Sequence, residues 1–164
     1  MKKRGFTLIE LVMLIVIIGI VALAVMPKAT TGSAVRLEAA CQKIASDLRY
    51  AQEMTLAQQV RFGISFDPVN EAYFVYRVTI ATKSIDPQTR NNFDVSFVTL
   101  NEFKGIDIAS TSFSNKVEFD SVGAPYDGDG DILSSQGIIT LQAQGGAYSR
   151  TVRIEAKTGK VTIQ

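Results

Sequence analysis

Glu10 is the one charge in an apolar run that extends from Phe6 to Met26, and the run begins directly after the basic start Met1-Lys2-Lys3-Arg4-Gly5. A lone carboxylate in such a stretch is costly to bury without a positive partner, and carboxylates in this setting mark functional sites. The expected partner is an amine on another chain. Little else in the chain offers chemistry. With no histidine and only Cys41 as a thiol, the usual nucleophile and base arrangements are missing, and no phosphate-cradling glycine loop follows a strand. An enzyme is not expected.

The element that must position Glu10 is a helix. The 21 residues from Phe6 to Met26 at about 1.5 Å per residue reach across a hydrocarbon core of roughly 30 Å, so the run reads as a membrane span. Lys2, Lys3 and Arg4 ahead of it keep the amino terminus in the cytoplasm and send the remainder across. A secretory signal peptide cut after Ala22-Leu23-Ala24 is the competing reading; the length of the stretch and the charge at Glu10 weigh against it. Gly19 and Pro27 bracket the second half of the span. Pro27 removes a backbone donor and disfavours helix at Met26, so either a kink or the exit from the membrane is expected there.

Beyond a short polar stretch, an amphipathic pattern resumes through Leu37, Cys41, Ile44, Leu48 and Ala51, with Arg36, Glu38, Lys43, Asp47 and Arg49 on other faces. This predicts a helix ending near Gln59 with one stripe packed on a domain; joined to the span it would form a rod on the order of 80 Å. From Val60 the period changes to two. Strands are predicted at Val60–Phe66, Ala72–Thr79, Phe93–Leu100, Lys116–Phe119, Gly137–Leu141, Ser149–Ile154 and Val161–Ile163, separated by Asp-Pro, Gly-Gly and Thr-Gly breakers. The expected architecture is α+β: a long amino-terminal helix packed on an antiparallel β-sandwich or curled sheet. Its divisions are residues 1–5 as a leader, 6–27 as a membrane and assembly helix, 28–59 as the amphipathic half-helix, and 60–164 as one β domain.

The segment Lys3-Arg4-Gly5-Phe6-Thr7-Leu8-Ile9-Glu10 resembles the prepilin processing site of type IV pilins and type II secretion pseudopilins. The resemblance implies a prepilin peptidase that cuts between Gly5 and Phe6 and methylates the new amine of Phe6. Glu10 then lies about one helical turn from that amine, and with a similar axial offset between neighbours it would meet the Phe6 amine of the next subunit and set register. The carboxyl half, through Val117-Glu118-Phe119, Gly123-Ala124-Pro125, Gly137-Ile138-Ile139-Thr140-Leu141, Val152-Arg153-Ile154 and Thr158-Gly159-Lys160-Val161, resembles the H-type (GspH/FimT-like) minor pseudopilins and minor pilins. The resemblance implies a pilin-like fold, a proline-marked loss of helicity near Pro27 on assembly, and, since Glu10 is present, not the K-type tip subunit. A single Cys41 forms no intrachain disulfide, unlike many type IV major pilins, and reads as a small buried hydrophobe.

Two surface features invite other readings. Asp127, Asp129 and Asp131 alternate with glycine, so calcium binding competes with a solvated turn; Ile132 and Ile138 stand where an EF-hand needs glycine and glutamate. Arg150, Arg153, Lys157 and Lys160 lie near the carboxyl end, where the FimT resemblance raises DNA binding against ordinary solvated charges. The chain has 17 basic and 16 acidic residues, and trimming Lys2, Lys3 and Arg4 leaves 14 against 16, a balance that weakens a nucleic-acid role. The functional expectation is a structural minor subunit of a type II secretion pseudopilus, anchored in the inner membrane with its β domain in the periplasm and incorporated into a filament. Its expected partners are other major and minor pilins or pseudopilins, the prepilin peptidase, the inner-membrane assembly platform and secreted cargo. A minor type IV pilin for priming or for DNA or surface binding, and a major subunit of either filament, are the alternatives.

Overall fold

A computed structural model describes residues 7–25 and 31–164 of the chain. They fall into two compact units divided between Thr31 and Gly32.

The first unit is helix α1 (Leu8–Val25), 18 residues long. Thr7 starts it: the Glu10 backbone N–H donates to Thr7 Oγ1 at 3.4 Å and to the Thr7 carbonyl at 3.1 Å. The Thr7/Glu10 spacing is that of a capping box, in which the hydroxyl satisfies an orphan amide of the first turn. Every side chain described here, from Thr7 to Val21, is exposed, and apart from Thr7 and Glu10 the helix is apolar around its circumference. Among the described residues no helix is long and apolar enough to cross a membrane; α1 reaches about 27 Å. The expected span from Phe6 to Met26 extends beyond it at both ends, and Gly5, Phe6 and Pro27 lie outside the described residues. Gly19 lies within α1, which runs through it without interruption.

The second unit opens within α2 (Thr31–Gln58), one residue after the helix begins. Leu37, Ala40, Cys41, Ile44, Ala45, Leu48 and Ala51 form its buried stripe, the three-and-four spacing that keeps one face inward. The helix stops where Gln59 turns into a left-handed conformation (φ 55°). Buried Thr55 accepts the Phe62 amide on its Oγ1 at 3.0 Å, tying the last turn to the first strand.

The strands are β1 (Phe62–Asp67), β2 (Ala72–Arg77), β3 (Thr79–Lys83), β4 (Asp94–Ser96), β5 (Ile106–Thr111), β6 (Lys116–Phe119), β7 (Pro125–Tyr126), β8 (Gly137–Ala143), β9 (Tyr148–Ile154) and β10 (Val161–Ile163). A six-stranded sheet runs β3-β2-β1-β6-β7 with β4 also on β2, and a four-stranded sheet runs β10-β9-β8-β5. All pairings are antiparallel. Phe62, Ile64, Phe66, Tyr73, Val75, Val117 and Phe119 from the first sheet, with Ile106, Ile108, Ile139, Leu141, Val152 and Ile154 from the second, share one core with the α2 stripe. This is the expected α+β arrangement, a helix packed on antiparallel sheets that do not close.

Three strands go beyond the sequence expectation. β3 continues past a turn at Val78 (φ 66°), where a β-branched residue in a left-handed conformation gives no sequence warning. β5 buries only Ile106 and Ile108, too short an alternation to stand out at a sheet edge, and β7 is two residues long. β4 is also shorter than the predicted Phe93–Leu100, because a 3-10 turn at Asn101–Phe103 follows it closely. Asp47, expected off the apolar stripe of α2, is itself buried.

Candidate assembly segment and the surfaces of the β unit

Glu10 occupies the first turn of α1 and is exposed. Among the described residues no cation pairs with its carboxylate, and so its charge is open to a group from outside them. The neighbouring cleavage residues Gly5 and Phe6 lie outside the described residues.

Asp47 explains how α2 is fixed to the first sheet. It is 4 % exposed, accepts Lys43 Nζ on both carboxylate oxygens at 2.8 and 2.9 Å, and accepts the buried Tyr73 hydroxyl on Oδ2 at 2.7 Å. A buried carboxylate is tolerated only when its lone pairs are engaged. Even so, burial outweighs those hydrogen bonds and pushes its carboxyl above the ordinary aspartate range. The sequence placed Asp47 off the apolar stripe; the Tyr73 hydroxyl, 26 residues away, engages it at the helix–sheet junction.

A second polar cluster lies on the outer face of the six-stranded sheet. Tyr76 donates to Glu118 Oε1 at 2.7 Å, Lys116 Nζ approaches the same oxygen at 3.0 Å, and Arg61 stands 3.6 Å from Oε2. Tyr76 is almost fully buried although it faces outward, because its ring lies down over Gly63: a Cβ there would come within 2.5 Å of the Tyr76 hydroxyl. A glycine inside a strand signals such a close approach, and Gly63 was the one sequence sign of this cluster. Lys83 and Lys116 lie over the rings of Phe74 and Tyr76.

Cys41 is fully buried, and its thiol is pushed up to about 12 by desolvation, with the nearby Glu38 charge adding to the rise. The thiolate is the reactive form, so this cysteine is a packing residue.

The Asp127–Asp131 tract folds on itself. Asp127 Oδ1 accepts the amides of Asp129 and Asp131 at 3.0 and 3.1 Å, and Ser114 donates to Asp129 Oδ2 at 3.0 Å. Among the described residues no group of three carboxylate, histidine or cysteine side chains is placed to hold a metal ion.

The basic residues near the carboxyl end are dispersed. Arg150 pairs with Leu141 and turns toward α2, where its Nη2 stands 3.5 Å from Glu38 Oε2. Arg153, three positions on, falls on the opposite face of β9. Lys157 and Lys160 belong to the turn before β10, with Lys157 left-handed (φ 67°).

Comparison with known proteins agrees with this geometry. The family described as the prokaryotic N-terminal methylation motif matches residues 1–26. No curated protein sequence matches the chain. Among solved structures, the minor pseudopilin EpsH from the type 2 secretion system of Vibrio cholerae is 10 % identical with a TM-score of 0.58, over 79 % of this chain and 96 % of that one. The type IV minor pilin FimU of Pseudomonas aeruginosa PAO1 is 13 % identical with a TM-score of 0.54, over 78 % of this chain and 92 % of that one. The chain therefore carries a prokaryotic N-terminal methylation motif ahead of a pilin-like fold, the fold found in a minor pseudopilin and a minor pilin.

Proposed function

We propose that this chain is a structural minor subunit of a type II secretion pseudopilus, cut between Gly5 and Phe6 by a prepilin peptidase, methylated at Phe6, and assembled through its amino-terminal helix. The observation that carries the reading is the joint presence of the methylation motif at residues 1–26 and a fold covering 96 % of the EpsH chain. The run from Phe6 to Met26 holds the precursor in the inner membrane with the second unit in the periplasm. On assembly the apolar circumference of α1 packs against its neighbours, and Glu10 accepts an ion pair from the next subunit's Phe6 amine. Helix packing drives association and the ion pair fixes register. The role is mechanical, with no catalytic step and no cofactor, and the partners are other pseudopilins, the assembly platform and secreted cargo.

The comparable likeness to FimU favours a second reading, a minor type IV pilin. Glu10→Ala tests the assembly role common to both: cleavage after Gly5 stays largely intact while entry into sheared filaments falls sharply. Normal incorporation of Glu10→Ala overturns the pairing role. Salt-dependent DNA binding by the full chain in detergent would favour the pilin reading over the secretion one.

A further inference from the structure

The last turns of α2 and the β2–β3 edge of the six-stranded sheet enclose a groove of about 280 Å³. Tyr50, Met54 and Gln58 line it from the helix; they are spaced four residues apart and therefore share one side. Arg77 from β2, with Thr82 and Ile85 from the segment that follows, lines the other wall. Ile85 is 55 % exposed, and Met54 is a flexible thioether that adapts to the shape of what it meets.

Among the described residues no carboxylate lines this groove, and its charged groups are Arg77 and Lys83. Lys83 is engaged elsewhere: its Nζ meets Asp94 at 2.6 Å and lies over the Phe74 ring. Arg77 pairs in register with Phe62, whose side chain is buried in the core, and so stands on the α2 side of the sheet. It is exposed, and no ion pair among the described residues includes it. A guanidinium offers a planar fork of donors that matches the two oxygens of a carboxylate.

We propose that this groove takes a segment of another protein in which a carboxylate stands beside a bulky apolar side chain, with the carboxylate on the Arg77 guanidinium and the apolar group against Met54 and Ile85. The volume lies just below the roughly 300–1,000 Å³ of pockets that enclose a free small molecule, so it suits one side chain and its neighbour on a longer chain. Charge selects among such segments. A basic one would bring its cation beside Arg77 with no acid to meet it. An uncharged apolar one would cover the groove and strip water from the guanidinium without giving it a partner, which is costly. Only an acidic-apolar segment fills the recess and satisfies the cation together. This inference rests on the β unit alone and is independent of Glu10, of processing and of which filament the chain enters.

The test uses the full-length chain in nonionic detergent with isotopically labelled methionine methyl groups, followed by nuclear magnetic resonance. Two probes are added in the millimolar range: the peptide acetyl-Gly-Leu-Asp-Gly-amide and its counterpart with Asn in place of Asp. The Met54 methyl signal, assigned with Met54→Leu, should shift saturably with the aspartate peptide, while that of Met13 on α1 stays in place. The asparagine peptide should bind at least several-fold more weakly, and Arg77→Gln should abolish the preference. Raising the salt concentration should narrow the same preference in the unchanged chain, a check that needs no variant. A Met54 signal that neither peptide moves, equal binding of the two peptides, a preference that survives Arg77→Gln or high salt, or an equal shift at Met13 overturns the proposal.

Discussion

The hydroxyl of Tyr73 on β2 donates to Oδ2 of Asp47 on α2 at 2.7 Å, so a buried hydrogen bond locks the helix to the six-stranded sheet. Removing the acceptor strands a phenol that is 1 % exposed, and an unsatisfied buried polar group costs about 1–3 kcal/mol. Asp47→Ala should therefore lower the stability of the full chain by about that amount in a denaturant titration. Asp47→Asn keeps an acceptor for the hydroxyl and should lose less.

The same carboxyl predicts a pH dependence with an unusual sign. Burial raises its pKa in the folded state above the unfolded value, so between those two values the folded chain holds more protons. Its contribution to stability is complete below about pH 4 and is lost as pH rises through the folded pKa. Glu71, raised by burial against the opposing hydrogen bond from the Ile108 amide, acts in the same direction. Asp67 acts in the opposite one, since its hydrogen bonds from Asn70 hold its pKa down. Unfolding titrations of Asp47→Asn and the unchanged chain should therefore show the variant gaining relative stability as pH climbs from 4 to 7. A constant difference would refute the raised pKa.

Gly63 should not accept a side chain. A Cβ there meets the Tyr76 hydroxyl at 2.5 Å and the Val117 carbonyl at 2.7 Å, and overpacking of this kind costs about 1–3 kcal/mol. Gly63→Ala should shift the denaturation midpoint accordingly. Tyr76→Phe should relieve only part of the loss, because the backbone carbonyl stays in place.

Cys41 should resist thiol reagents in the folded chain at pH 8 and react after denaturation. Rapid labelling under native conditions would contradict its burial and its pKa of about 12.

What the sequence showed plainly is what lies close together along the chain. The leader, Gly5, Phe6 and Glu10 occupy ten residues, and the α2 stripe from Leu37 to Ala51 has a regular period, so both could be read directly. The strands Lys116–Phe119 and Val161–Ile163 were found with the same bounds. Long-range pairing hid the rest. Asp47 is engaged at the helix–sheet junction only because Tyr73 arrives from β2, β5 is defined by its partner β8 more than by Ile106 and Ile108, and the groove beside Arg77 exists only once β2 is set against α2. The predicted strand Ser149–Ile154 already spans Arg150 and Arg153, so their dispersal to opposite faces follows from its two-residue period.

We propose that polymerisation and membrane insertion share one segment beginning at Phe6, where Glu10 pairs with a neighbour's amine. Mass spectrometry of the amino-terminal peptide, from protein purified out of cells that contain the processing peptidase, tests where that segment begins. The expected peptide begins with N-methylated Phe6; a peptide beginning at Met1, or one created by cleavage after Ala24, would contradict it.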